Sequence, residues 1–180
     1  TVAVDGLAPI RVAHGSPGQP NRGIYPQQDA GQVGRALAGM DEPVLIVGHS
    51  HEQWQAELDG RLLLNPGAVC GPCDGIVGAQ YALLAWRDGR WQAQLKKVDY
   101  NIASVRQAFV ESGLLDRGEP FARAVVAGIE TGLNAAQALV DFAYALKDAQ
   151  GFAHERFVPD PIWDAAAASF DWQRYERGAQ

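Results

Sequence analysis

The chain has 180 residues, 47% of them hydrophobic and 20% charged, a size that suits one domain with an appendage. Its 15 basic and 21 acidic residues leave a net charge of −6. No basic cluster exceeds Lys96-Lys97, so a nucleic-acid surface binder is excluded. No apolar run nears the roughly 20 residues of a membrane span, no signal-peptide order is present, and two cysteines are too few for a disulfide framework. A cytoplasmic, folded domain is expected. The opening Thr1-Val2-Ala3-Val4 is already strand-like and reads as a start in mid-protein.

Up to about residue 100 the chain is rich in glycine and proline, and Asp-Gly pairs punctuate apolar runs. Asp5-Gly6 separates Val2–Val4 from Ile10–Ala13, with Pro9 lengthening that loop. Val33, Leu37 and Met40 recur at helical spacing. Val44–Val47, after Pro43, reads as a buried central strand. Asp59-Gly60 and Asp88-Gly89 predict hairpins, Trp54–Leu58 with Leu62–Leu64 and Tyr81–Trp86 with Trp91–Leu95. A helix feeding a buried strand and then hairpins predicts a mixed α/β domain over residues 1–100.

Alanine dominates residues 101–180, which are expected to be helical. Ile102, Val105 and Phe109 mark one helix, closed by Gly113. Glu119-Pro120 starts a second, with Phe121, Val125 and Ile129 as its stripe. Asn134 caps a third that buries Leu139, Phe142 and Leu146 and ends at Gly151. After a linker, Asp160-Pro161 starts the last, with Ile162, Ala166 and Phe170 inward. Trp163, Phe170 and Trp172 either pack on the parent domain or make this helix an oligomer contact.

Three histidines follow strand ends. His14 precedes Gly15-Ser16-Pro17, and Gly48-His49-Ser50-His51 follows the central strand. Gly48 is expected to make the turn, and an extended segment beyond it would aim His49 and His51 at one site. Open α/β sheets bind ligands outside the carboxyl ends of their strands, and neutral imidazole is a common ligand for divalent metals. Arg22, in the glycine-rich loop Gly18–Tyr25, has the chemistry to clamp a phosphate oxygen. Cys70-Gly71-Pro72-Cys73 spells a redox motif, but the glycine-interrupted Asp74–Gly78 that follows is a poor helix start, which leaves a loop as the reading. His154-Glu155 in the linker reads as a solvated pair.

His14-Gly15-Ser16-Pro17, Gly48-His49-Ser50-His51 and Asn65-Pro66-Gly67-Ala68, in this order and these strand contexts, resemble the back half of calcineurin-like metallophosphoesterases, closest to their small bacterial branch. Val98-Asp99-Tyr100-Asn101-Ile102 is similar to that branch as well. The resemblance implies a mixed two-sheet sandwich flanked by helices, with a C-terminal helical extension in this chain. It also implies two divalent metal ions (manganese, iron, zinc or similar) that activate a water against a small phosphate ester, mono- or diester. His14 and His49 would ligate one metal and His51 the other, with Asn65 and Gly67 on the substrate side. The family's Asp-x-His, Gly-Asp-x-x-Asp and Gly-Asn-His-Asp segments do not occur here. The expectation is therefore the C-terminal part of such an enzyme, incompetent alone. The alternatives are a non-catalytic scaffold or partner-binding remnant and, far behind, a thioredoxin-like oxidoreductase.

Overall fold

The computed structural model describes residues 1–176. The chain is mixed α/β with two sheets and flanking helices. The described residues form two compact units, residues 1–74 with 78–99 and residues 75–77 with 100–176.

The first unit is built on a four-stranded sheet. Its strands are β1 (Ile10–Val12), β2 (Val44–Ile46), β3 (Gln53–Leu58) and β4 (Arg61–Pro66), in the order β1-β2-β4-β3. β1 and β4 flank β2 in parallel, and β3 returns antiparallel on β4. Alternation sorts the side chains into two layers. Leu45, Val47 and Leu63 join Ile24, Leu37, Met40 and Trp54, with Val33 and Ala36 of helix α1 (Ala30–Leu37) packed against them. Ile10, Val44 and Leu64 face Ala82, Leu84, Trp91 and Ala93, which belong to the hairpin of β5 (Ala79–Arg87) and β6 (Arg90–Val98). β2 is thus central and buried on both faces, as its unbroken apolar run requires. Both expected Asp-Gly hairpins form, with Asp59 and Gly60 at φ 52° and 74° and Asp88 and Gly89 at 51° and 74°. The expected first strand shrinks to a single bridge between Val2 and Ile10.

The second unit is helical: α2 (Ile102–Glu111), the one-turn α3 (Leu114–Arg117), α4 (Phe121–Thr131), α5 (Ala135–Ala149), α6 (Asp160–Ser169) and a 3₁₀ turn, Trp172–Tyr175. Asn101 and Asn134 cap α2 and α5 by accepting the N–H groups of Ser104 and Gln137 at 3.2 and 3.1 Å. Ala124, Ala127, Ala135 and Leu139 form one core cluster with Tyr175, and Ala143, Ile162 and Ala166 form another with Val158. Small side chains of this kind let helices approach closely.

Several local expectations need correction. The short helix α3 and the terminal 3₁₀ turn lacked any periodic signal. Pro120 caps α4 instead of opening its first turn, and Phe121 is half exposed while Ala122, Ala124 and Val126 are buried. Of the expected stripe Ile129 is buried and Val125 half-buried, while at the helix start Ala122 and Ala124 take the inward positions instead of Phe121. Of the two readings for Trp163, Phe170 and Trp172, packing within the chain is seen, with all three partly buried. They pack against the helical core, where Phe170 stacks on Tyr175 with centroids 5.5 Å apart.

Candidate functional site

The carboxyl ends of the parallel strands β1, β2 and β4 open on one edge of the sheet, and each feeds a loop carrying one of the motifs. The ladder continues past the strands: Ala13 N–H donates to Ile46 O at 2.9 Å, Val47 N–H to Leu64 O at 2.9 Å, and Gly48 N–H to His14 O at 2.8 Å. This last bond joins the two histidine loops. It brings His14 Nε2 to 3.3 Å from His49 Nδ1, with ring centroids 5.2 Å apart and planes at 88°.

The backbone here is not extended. His49 and His51 both lie in the left-handed region, at φ 70° and 56°, and Ser50 N–H closes back on Gly48 O at 2.9 Å. The positive φ expected of Gly48 is carried by the histidines instead. Non-glycine residues rarely adopt this conformation, which costs roughly 1–2 kcal/mol each. As a result His51 does not join the His14–His49 pair. Its Nδ1 lies 2.9 Å from Gly71 O. A carbonyl only accepts, so Nδ1 carries the proton and Nε2 keeps the free lone pair.

Asn65 is fully buried, and its Nδ2 donates to Gly48 O at 3.0 Å and Ser50 Oγ at 2.9 Å. Its Oδ1 accepts from Gly67 N–H at 2.9 Å. The side chain expected on the substrate side is therefore enclosed, and it acts by fixing the histidine loop. Gly67 is at φ 86°, and a Cβ there would run into the side chain of Gln80. Buried Gln80 accepts from Ala68 N–H at 3.1 Å and donates to Asp74 at 2.7 Å. Gln80 and Ser50 are polar anchors that the sequence did not announce as part of a site. Their only signal was a polar residue inside or beside a strand.

Arg22 is exposed, 3.5 Å from Gln19 Oε1, and lines a cleft of about 180 Å³ with Ser16, Gln28 and Arg35. Its backbone carbonyl is fixed by Ser16 N–H at 2.7 Å. A Cβ on neighbouring Gly23 would come within 3.1 Å of the His49 ring, so this loop runs alongside that histidine.

Cys70 is exposed and Cys73 partly buried, both as free thiols, and no helix follows them. Burial first, then the carboxylates of Glu52 and Asp74, push the Cys73 thiol up to about 11. That is opposite to the activated thiol of a redox catalyst. His154 and Glu155 form an exposed pair at 3.5 Å.

The protein thus has a mixed two-sheet α/β fold with imidazoles beyond the carboxyl ends of its parallel strands, the edge at which open α/β sheets generally bind ligands. Residues 1–89 match the calcineurin-like phosphoesterase superfamily domain. A metallophosphoesterase from Sphaerobacter thermophilus is similar with a TM-score of 0.51 and 25% identity, over 68% of this chain and 55% of that one. The hypothetical protein PH1004 from Pyrococcus horikoshii OT3 shares the fold with a TM-score of 0.60 and 19% identity, over 73% of this chain and 50% of that one. The chain thus spans about half the length of these structures. No curated protein matches it. Among the described residues no helix is long and apolar enough to cross a membrane.

The donor set supports part of a metal centre. Two imidazole nitrogens on one tetrahedral zinc-type ion, each about 2.0–2.1 Å from it, lie about 3.3 Å apart, which is the His14–His49 spacing observed. Among the described residues no group of three or more His, Cys, Asp or Glu side chains is gathered around one such point. The pair therefore fits a metal as two of its ligands, with the others still to be supplied.

Proposed function

We propose that the chain contributes the histidine side of a divalent-metal centre that hydrolyses a small phosphate ester. His14 and His49 would hold one ion, and His51 would present Nε2 to a second. When bound, such ions stabilise negative charge on phosphate oxygens and activate water at neutral pH. The chain's own residues prepare that chemistry. Asn65 holds the Gly48–Ser50 turn and Gly71 O orients the His51 ring, and Arg22, on the loop that passes His49 at Gly23, would supply a cation for a phosphate oxygen. The observation that carries the reading is the His14–His49 pair, two loops from adjacent parallel strands meeting nitrogen to nitrogen at 3.3 Å. Two left-handed histidines in one four-residue loop support it, since such strain gathers at functional sites.

The test is manganese-stimulated hydrolysis of a chromogenic phosphodiester and a phosphomonoester by the protein in its longest native form, beside His49→Ala. Activity should fall about 100-fold or more in the variant, with manganese affinity down about 10–100-fold. Undiminished activity and affinity would remove His49 from the centre. A protein that binds no manganese in either form would favour the scaffold reading.

A further inference from the structure

We propose that Cys70 and Cys73 are a redox modification site, a thiol–disulfide couple whose closure releases His51 from the carbonyl that orients it. The two thiols stand three residues apart in a loop without regular structure, one exposed and one partly buried. Between them Gly71 lies at φ 68° and Pro72 is fully buried, so the loop is anchored at its centre. Two bonds join it to His51: His51 Nδ1 to Gly71 O at 2.9 Å, and Cys73 N–H to His51 O at 2.9 Å. The Cys73 thiol reaches the same Gly71 carbonyl, at 3.7 Å. One carbonyl thus serves both the thiol and the imidazole.

Disulfide formation withdraws the Cys73 thiol from the Gly71 carbonyl that it shares with His51. The Cys73 sulfur must lose its hydrogen and approach Cys70 to about 2.05 Å with a dihedral near ±90°. With Pro72 fully buried between them, the adjustment is expected at Gly71 and at the Cys73 amide, the two groups that hold His51. The oxidant is a small-molecule disulfide such as oxidised glutathione. The exposed Cys70 thiolate attacks one of its sulfurs and expels one glutathione thiolate. Cys73 then attacks the Cys70 sulfur of the mixed disulfide and expels the second. The two cysteines lose two hydrogens in all, and one oxidised glutathione becomes two reduced ones.

The consequence for metal binding rests on the reading of His51 as a ligand. A carbonyl partner on the far nitrogen fixes tautomer and ring orientation, and its loss typically costs about 10–100-fold in affinity. The redox step itself does not depend on that reading.

The experiment compares the protein in reduced and oxidised glutathione. Peptide mass mapping should show a Cys70–Cys73 cross-link, lighter by two hydrogens and reversed by dithiothreitol. Nitrogen-15 spectra should show His51 passing from a single Nδ1–H tautomer to a mixture, and exchange of the Cys73 amide should quicken about 10-fold or more. Cys73→Ser should abolish all three responses. A mixed disulfide that stays on Cys70, or a cross-link that leaves the His51 signals and the Cys73 amide unchanged, would overturn the proposal. Manganese affinity, measured on both redox forms and on His51→Ala, separates the two readings. Affinity unmoved in all of them while the His51 signals shift would support the couple and remove His51 from the metal centre.

Discussion

The two units use asparagine in the same way and to different effect. In the helical unit Asn134 accepts a backbone N–H at 3.1 Å at the exposed start of α5. In the sheet unit Asn65 accepts one at 2.9 Å, but it is fully buried and also donates twice, to two points of the histidine loop. Water replaces a lost partner in the first case and cannot in the second. The helical unit is therefore specified by many local signals, each of modest worth. The strand-end edge depends on a few buried amides, each of which holds more than one segment of chain. A functional loop with two left-handed residues needs such an anchor, because its own backbone preference works against it.

The largest effect expected from this contrast is at Asn65. Asn65→Ala removes the partners of buried Ser50 Oγ and half-buried Gly67 N–H and one of the two bonds to Gly48 O and should cost about 2–3 kcal/mol, whereas Asn134→Ala should cost about 1 kcal/mol. Urea denaturation of the two variants side by side measures both. Equal losses would break the comparison, because burial would then not be what distinguishes the two sites.

The same contrast explains what could be read in advance. Helix starts at Asn134 and Asp160-Pro161, and the two tight hairpins, were legible because each is decided within four or five residues. The central position of β2 was legible because an unbroken apolar run has few other uses. The histidines could be singled out by their strand-end context, but their arrangement could not. The Gly48–His51 loop is folded by Asn65, from 15 to 17 residues away, and His51 is turned by Gly71, 20 residues away. Local preference would have given the positive φ to Gly48, and these distant bonds gave it to His49 and His51. At the start of α4 the stripe misled at Phe121 for a related reason. Ala122 and Ala124 take the inward positions there, a fact of packing that periodicity does not carry.

A second prediction probes the opposite end of β2, where the sheet unit again relies on a single buried polar group. Glu42 accepts from Thr1 Oγ1 at 2.7 Å and is gripped by Arg11 through Nε and a terminal nitrogen, both at 2.9 Å. The Thr1 bond first, then the Arg11 guanidinium, hold its carboxyl down from 4.5 to about 2. A carboxylate with a lowered folded-state pKa stabilises the fold above its unfolded value, and that contribution is lost as the pH falls through the folded one. Stability should therefore decline between about 4.5 and about 2 through this group. Glu42→Gln should flatten the decline over that window in a pH series of thermal melts and lower stability above it. An unchanged acid limb would show that Glu42 does not contribute to it.

The smallest expected effect is the most direct measure of the strain in the histidine loop. At φ 70°, His49→Gly relieves a left-handed penalty of roughly 1–2 kcal/mol while adding freedom to the unfolded chain worth roughly 0.5–1 kcal/mol. His49→Ala keeps the penalty and removes the same ring. Both variants should lose metal binding to the same extent, since both lack the imidazole. Their stabilities should differ by up to about 1 kcal/mol in favour of glycine, read as the difference in denaturation midpoints. If alanine proved more stable than glycine by about 0.5–1 kcal/mol, the loop would hold no strain at this position. The positive φ would then be a consequence of the Asn65 anchor alone, and its link to a metal centre would rest only on the His14 contact.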